Sequence, residues 1–182
     1  HLGPARIRHL VEKFGSALTA LKANTEEIEK IPGYAQVLPH WEQRRQNTAW
    51  KNDLALVEKY NTQLIPYTHP LFPKSLRETP DHPVLLYVQG ELKSQDQRSI
   101  AIVGTRNASI YGNEMAHHLG NELARYGFTV VSGLARGIDT AAHRGALETG
   151  RTIAVIGSGI ADIYPPENRL LAQEISKKGA LI

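Results

Sequence analysis

Ser99-Ile-Ala-Ile-Val-Gly104, Phe128-Thr-Val-Val-Ser-Gly133 and Thr152-Ile-Ala-Val-Ile-Gly157 are three short apolar runs, and each empties into a glycine-rich loop. Between them, residues 113–126 and 139–149 carry helical patterns. Continuous β-branched runs separated by helices are what a parallel sheet covered on both faces requires, because its strands have no solvent side on which to alternate polar residues. The sequence therefore predicts an α/β fold with a doubly wound, mainly parallel sheet. In such sheets ligands sit beyond the carboxyl ends of the strands, where loops meet helix N-termini whose free N–H groups favour anions. The expected site is built from Gly104, Thr105 and Arg106, from Ser132 and Gly133 with Arg136 in the same loop, and from Gly157 and Ser158.

Outward from this core, residues 167–178 read as a further helix, and Ala180-Leu-Ile182 as the opening of a fourth parallel strand. Residues 63–68 and 84–90 are strand candidates flanking a Pro-rich loop with Pro70, Pro73, Pro80 and Pro83. Pro66 argues for an edge position, since proline cannot donate to a ladder. Residues 90–98 are the expected handover from peripheral to central strands. In the helix over 113–126, Met115, Leu119, Leu123 and Tyr126 fall on one face, and Gly127 ends it.

The first 48 residues carry helical punctuation. Pro4 suits a first turn, and Ile7, Leu10, Val11 and Phe14 make an i, i+3, i+4, i+7 stripe closed by Gly15. Ser16 can cap a short helix holding Leu18 and Leu21, Asn24 can cap residues 25–30, and another helix follows Ile31-Pro-Gly33 and runs through Trp41. Trp50, Leu54, Val57 and Tyr60 continue as helix. The expected division is a small helical domain over 1–60 and an α/β domain over 61–182. Leu2-Gly3-Pro4 and Ile31-Pro32-Gly33 admit two readings, as hydrophobic-Gly hairpins that hold one phosphate each or as plain helix caps around a minimal core. The head, residues 1–47, carries seven Lys or Arg against five Glu, too small an excess to anchor a polyanion, so it is expected to be an accessory module.

Composition narrows the chemistry. Among 182 residues there is no cysteine, which excludes disulfides, zinc–thiolate sites and a thiol nucleophile. No apolar run reaches the ~18 residues of a membrane helix and no signal-type leader stands at the start, so a cytoplasmic protein without membrane contact is the expectation. The chain opens at His1 without a methionine and stops within an apolar run, which reads as a sequence cut at both ends with its sheet unfinished. A formal charge of +3 is compatible with a nucleic-acid partner.

The loops are not a dinucleotide fingerprint. Arg106 stands where G-x-G-x-x-G needs its second glycine, the second strand ends at Ser132 instead of the acid that holds a ribose hydroxyl, and Asp162 occupies the place of a third glycine. No Walker lysine follows any loop, so no nucleotide cofactor is expected, and no metal. What the loops offer is phosphate chemistry: a forked, charge-assisted pair from Arg106, a second cation at Arg136, hydroxyls of Thr105, Ser132 and Ser158, and bare backbone at Gly104, Gly133 and Gly157. Several phosphate-sized subsites in a row suit a nucleic-acid backbone better than one mononucleotide. The alternative at this point is tight strand-to-helix turns with a solvated arginine. Asp139 and Asp162 read as helix caps, His143 as a hydrogen-bonded interior residue, His117-His118 as a surface pair and Tyr164-Pro-Pro166 as a rigid turn that starts the next helix.

Ile102-Val-Gly-Thr-Arg106, the run Ser132-Gly-Leu-Ala-Arg-Gly-Ile-Asp-Thr-Ala-Ala-His-Arg-Gly-Ala-Leu147 and the run Ala154-Val-Ile-Gly-Ser-Gly-Ile-Ala-Asp-Ile-Tyr-Pro-Pro-Glu-Asn168 together resemble the DprA/Smf DNA-processing family. The head resembles that family's SAM-like, helix-hairpin-helix-like module. The resemblance implies an extended Rossmann-like domain that binds single-stranded DNA through its phosphates, protects incoming DNA and loads the RecA recombinase in natural transformation, without catalysis and as a homodimer when full length. It places the family's phosphate-binding Gly-Ser/Thr-Arg on Gly104, Thr105 and Arg106, and its second loop on Ser132 and Gly133. The family's Arg-Asn-Arg segment, base-stacking positions and any winged helix would follow Ile182. A competing reading is a nucleoside-monophosphate-cleaving enzyme of the lysine-decarboxylase-like Rossmann group, whose Pro-Gly-Gly-x-Gly-Thr loop is absent from these residues.

Overall fold

The computed structural model describes residues 2–36 and 38–182; His1, with which the expected head domain opens, and Val37 lie outside them. Contacts divide the chain into two units, His1–Ala55 with Glu78–Val84, and Leu56–Arg77 with Leu85–Ile182. The sequence boundary near residue 60 did not separate out the 78–84 segment.

The first unit is helical: α1 (Pro4–Phe14), α2 (Ala17–Lys22), α3 (Thr25–Glu29), α4 (Trp41–Gln46) and the start of α5 (Trp50–Lys59). Its punctuation follows the sequence, except that the helix expected to run through Trp41 starts there, after a 3₁₀ turn over Leu38–His40. Pro4 opens α1, and Gly15 closes it with φ +78°, a conformation that costs other residues steric strain. The Ser16 hydroxyl accepts the Thr19 N–H, and Asn24 forms a reciprocal capping box with Glu27. Leu10, Ile28, Ile31, Tyr34 and Trp41 form the core, while Leu18 and Leu21 remain exposed. Arg8 donates to the carbonyls of Pro80 and His82, which ties the 78–84 segment to this unit.

The second unit holds a sheet of six strands among the described residues: β1 (Thr62–Pro66), β2 (Leu85–Gly90), β3 (Ser99–Ala101), β4 (Thr129–Ser132), β5 (Arg151–Ala154) and β6 (Ala180–Leu181), in the order β1-β2-β6-β5-β4-β3. β3 to β6 run parallel, and β2 and β1 are added antiparallel, with Pro66 on the edge strand as expected. The mixed α/β architecture and mainly parallel sheet match the sequence reading. The short helix α6 (Lys74–Arg77) and the crossover helices α7 (Ile110–Arg125), α8 (Ile138–Thr149) and α9 (Arg169–Lys178) complete it.

The two faces are covered differently. Val130, Ala154 and Leu181 pack with α7, α8 and α9, whereas Ile153 and Ala180 on the opposite face join Phe72 and Leu92. That second cover is the Pro-rich segment with α6.

α7 begins three residues earlier than predicted because Ser109 caps it, its hydroxyl accepting the Gly112 N–H. Its buried face is also different. Ala116, Gly120 and Ala124 are inside, while Met115, Leu119 and Tyr126 are exposed. The cause is a close crossing: a Cβ on Gly145 would lie 1.9 Å from the His117 carbonyl oxygen, and one on Gly120 2.3 Å from that of Ala142. Backbones that close leave no room for large side chains between them, so the small-residue stripe is the contact face.

Candidate nucleic-acid interface

The handover segment locks the amino ends of the central strands. The Asp96 carboxylate receives Arg151 in a forked pair, Nε to Oδ1 at 2.6 Å and Nη2 to Oδ2 at 2.8 Å, and also the Thr129 hydroxyl at 2.8 Å. Arg151 further donates to the Lys178 and Glu91 carbonyls. Burial works against the Asp96 charge, but the Arg151 guanidinium, the Lys93 N–H and the Thr129 hydroxyl outweigh it and hold the carboxyl below its ordinary range. With one end of the sheet fixed in this way, the loops at the other end face solvent.

At the carboxyl ends, Arg106, Gly133, Arg136, Gly157 and Ser158 come together around one cleft of about 360 Å³, closed by Tyr164 and Pro165. Five of the eight residues named from sequence thus share a single site. The other three lie off its walls. Gly104 is a packing glycine, since a Cβ there would lie 2.7 Å from the Ile138 side chain. The Thr105 carbonyl accepts the Ile138 N–H, and its hydroxyl accepts the Asn107 N–H, which leaves the hydroxyl proton free to donate outward. Ser132 is buried and its hydroxyl donates to the Ile102 carbonyl at 2.6 Å, so its only proton is used inside the protein.

The cleft's donors are likewise not equal. The Gly133 N–H is taken by Asp139 Oδ2 at 3.0 Å, and the Ala135 N–H reaches the same oxygen at 3.4 Å. Asp139, buried in the first turn of α8, therefore ties down the loop that precedes the helix and is not the helix cap expected of it, since α8 has Gly137 at its N-cap. A Cβ on Gly157 would meet nothing within 4 Å, so backbone there is open to a ligand. The Ser158 hydroxyl accepts the Tyr164 N–H and keeps its proton for a partner. Arg136 is paired with Glu167, and the pairing raises the guanidinium pKa and lowers that of the carboxyl. Arg106, exposed, has no ion-pair partner among the described residues. It is the cation of this cleft with its charge uncompensated.

His143 is fully buried, as predicted. Thr152 Oγ1 lies 2.7 Å from its Nδ1 and donates to the Val130 carbonyl. Burial pushes its pKa down to about 4, against the opposing charge of Asp139. Asp162 is exposed, 3.8 Å from Arg169, and His117 pairs with Glu148 at 2.9 Å. Among the described residues no group of three or more His, Asp or Glu is arranged to hold a metal ion, and no helix is long and apolar enough to cross a membrane.

Two features were missed from sequence. Tyr164, read as part of a turn, is an exposed wall of the cleft. Arg144 lines a neighbouring cleft; the one signal that could have found it is a lone cation in the otherwise small and apolar stretch Ala141-Ala-His-Arg-Gly-Ala-Leu147.

Residues 63–182 match the model of the DNA recombination-mediator protein A family. The whole chain aligns with the protein Smf of Synechocystis sp., 32% identical over 189 residues and spanning 47% of that protein. Its fold superposes on the DNA processing protein A of Streptococcus pneumoniae with a TM-score of 0.79 at 30% identity, covering 99% of this chain and 62% of that one. It also superposes on the DNA processing protein A of Helicobacter pylori, known for its single-stranded DNA binding mode, with a TM-score of 0.59 at 32% identity, covering 67% of this chain and 54% of that one. The chain spans less than half the length of the curated relatives it matches, from 47% down to 26%. On the match over two thirds of its length and the shared fold, the chain belongs to the DNA recombination-mediator protein A (DprA/Smf) family.

Proposed function

We propose that this chain is the DNA-holding part of a protein that binds single-stranded DNA through its phosphates, protects incoming DNA and loads the RecA recombinase, acting in the cytoplasm as a homodimer at full length and without catalysis. The observation that carries the reading is Arg106: an exposed guanidinium without an ion-pair partner among the described residues, on the wall of a cleft at the carboxyl ends of a parallel sheet. Around it, Ser158 keeps a donor proton and the Gly157 backbone stands open. Such donors, with the positive end of a helix nearby, are chemistry for a phosphate and carry no base-edge code. The single-stranded DNA binding of the Helicobacter pylori relative supports the same choice of ligand. The non-catalytic reading is supported by the employment of the nearby ionisable groups. Asp139 is turned to backbone N–H groups, His143 is buried and Glu167 is paired. Among the described residues lining this cleft, no acid and base are left free to face one another.

The test is a titration of the chain with an oligothymidylate at increasing salt, run beside an assay with nucleoside monophosphates. The expected result is DNA affinity that falls with salt, with a logarithmic slope of about 0.7 per phosphate neutralised, and no turnover. Hydrolysis of a nucleoside monophosphate that disappears in Arg106→Ala would establish the enzyme reading instead.

A further inference from the structure

Arg106 is a wall of two clefts. Besides the strand-end cleft, it lines a larger one of about 1040 Å³ bounded by the start of α7 and the exposed side of α8. The second guanidinium in that larger cleft is Arg144. α8 is buried on almost every side, by Ala141, Ala142, His143, Gly145, Ala146 and Leu147. Arg144 is the exposed residue in the middle of this buried run. Like Arg106, it has no ion-pair or hydrogen-bonding partner among the described residues, although Glu114 lines the same cleft. The other arginines of the second unit are engaged: Arg125, Arg136, Arg151 and Arg169 by carboxylates, Arg77 by a backbone carbonyl and Arg98 over the Phe128 ring. The cleft also includes Gly137 at the amino end of α8, where the helix dipole adds positive potential.

We infer that Arg144 forms a second phosphate subsite and that a polynucleotide backbone continues from the strand-end cleft over Arg106 into the α7–α8 cleft. The inference rests on the phosphate reading of Arg106 and extends it to a direction. A mononucleotide satisfied at Arg106 has no use for a second free guanidinium beyond it. A chain of phosphates leaving that cleft passes over Arg106 and meets its next uncompensated cation at Arg144. An exposed arginine in the middle of a helix otherwise committed to the core contributes little to folding, so its charge is available for a ligand. Asn107 and Asn113 on the same walls offer neutral polar surface, compatible with a track that tolerates any sequence.

The experiment measures binding of the 182-residue chain and of Arg144→Ala, Arg144→Gln and Arg106→Ala to two probes, tetrathymidylate and an oligothymidylate of about 15 nucleotides, near the upper end of known single-strand site sizes. The expected result is that Arg144→Ala and Arg144→Gln weaken the long probe about tenfold and lower its salt slope by about 0.7, while the short probe changes less than about twofold. Arg144→Gln keeps a long polar side chain, so agreement between the two variants separates lost charge from altered helix packing. If both Arg144 variants bind the long probe like the parent while Arg106→Ala weakens it, the second subsite is wrong and the phosphate reading stands. If they weaken both probes equally, Arg144 does not extend the track and the inference also falls. If Arg106→Ala binds both probes like the parent, the phosphate reading itself fails, and this inference with it.

Discussion

Glu167 stands 31 residues from Arg136 in the chain and yet takes its charge. The sequence reading counted Arg136 as a second cation of the site, and by type it is one; by partner it is half of an exposed ion pair. Solvent screens such an exposed pair, so breaking it costs the fold little. Glu167→Gln is therefore expected to leave the melting temperature nearly unchanged and to tighten single-stranded DNA binding about two- to fivefold, with a steeper salt dependence, by releasing a guanidinium at the cleft. Weaker binding in Glu167→Gln would mean that the carboxylate positions Arg136 and does not mask it. His143 makes a different prediction. Its folded pKa of about 4 lies below the ordinary 6.5, so the unfolded chain binds a proton first as the solution is acidified. The stability that neutral His143 contributes is present above pH 6.5 and is lost as pH falls from there toward 4, at no more than about 1.4 kcal/mol per pH unit. Denaturant melts at a series of pH values should show a flatter acid limb for His143→Gln than for the parent; parallel curves would contradict the assignment.

Among the elements, the strands and crossover helices were legible because their signal is local. Apolar runs that end in glycine mark strands, and Ser16, Asn24 and Gly15 mark helix ends through their own backbone chemistry. What could not be read depends on neighbours distant in sequence. The exposed Met115 and Leu119 stripe follows from the approach of α7 to α8 at Gly120 and Gly145, and an isolated helical wheel places the larger side chains inside. The internal use of Ser132 depends on the Ile102 carbonyl 30 residues earlier. The handover at residues 90–98 was located, but its lock was not, since Asp96 and Arg151 are 55 residues apart. That lock is the strongest candidate for a single-residue effect on stability. Arg151→Ala leaves Asp96 nearly buried and unpaired, and a loss of about 3–5 kcal/mol is expected. Arg151→Met with Asp96→Leu should cost less than Arg151→Ala alone, because no charge is left without its partner. A loss below about 1 kcal/mol in Arg151→Ala would show that solvent replaces the pair.

For the whole molecule, the two units each hold a core of their own, and the candidate site lies in the α/β unit. The helical unit has its own core around Ile28, Ile31, Tyr34 and Trp41, and its Arg8 is occupied with the carbonyls of the 78–84 segment. The α/β unit fixes one end of its sheet through Arg151 and Asp96 and leaves Arg106 uncompensated at the other. The sequence located that end and named Arg106, since strand ends and glycine loops are local features. It ranked the donors by residue type alone, and so could not separate Arg106 from Arg136 or the free hydroxyls of Thr105 and Ser158 from the committed one of Ser132. The central claim is that Arg106 holds a phosphate of single-stranded DNA. The most direct test is a low-salt anisotropy titration of parent and Arg106→Ala with one labelled oligothymidylate, with melting temperatures measured in parallel. Affinity is expected to fall by about 1.5–3 kcal/mol, the scale of a charge-assisted hydrogen bond, with the melting temperature unchanged because the side chain is exposed. Equal affinity in the two proteins would contradict the account.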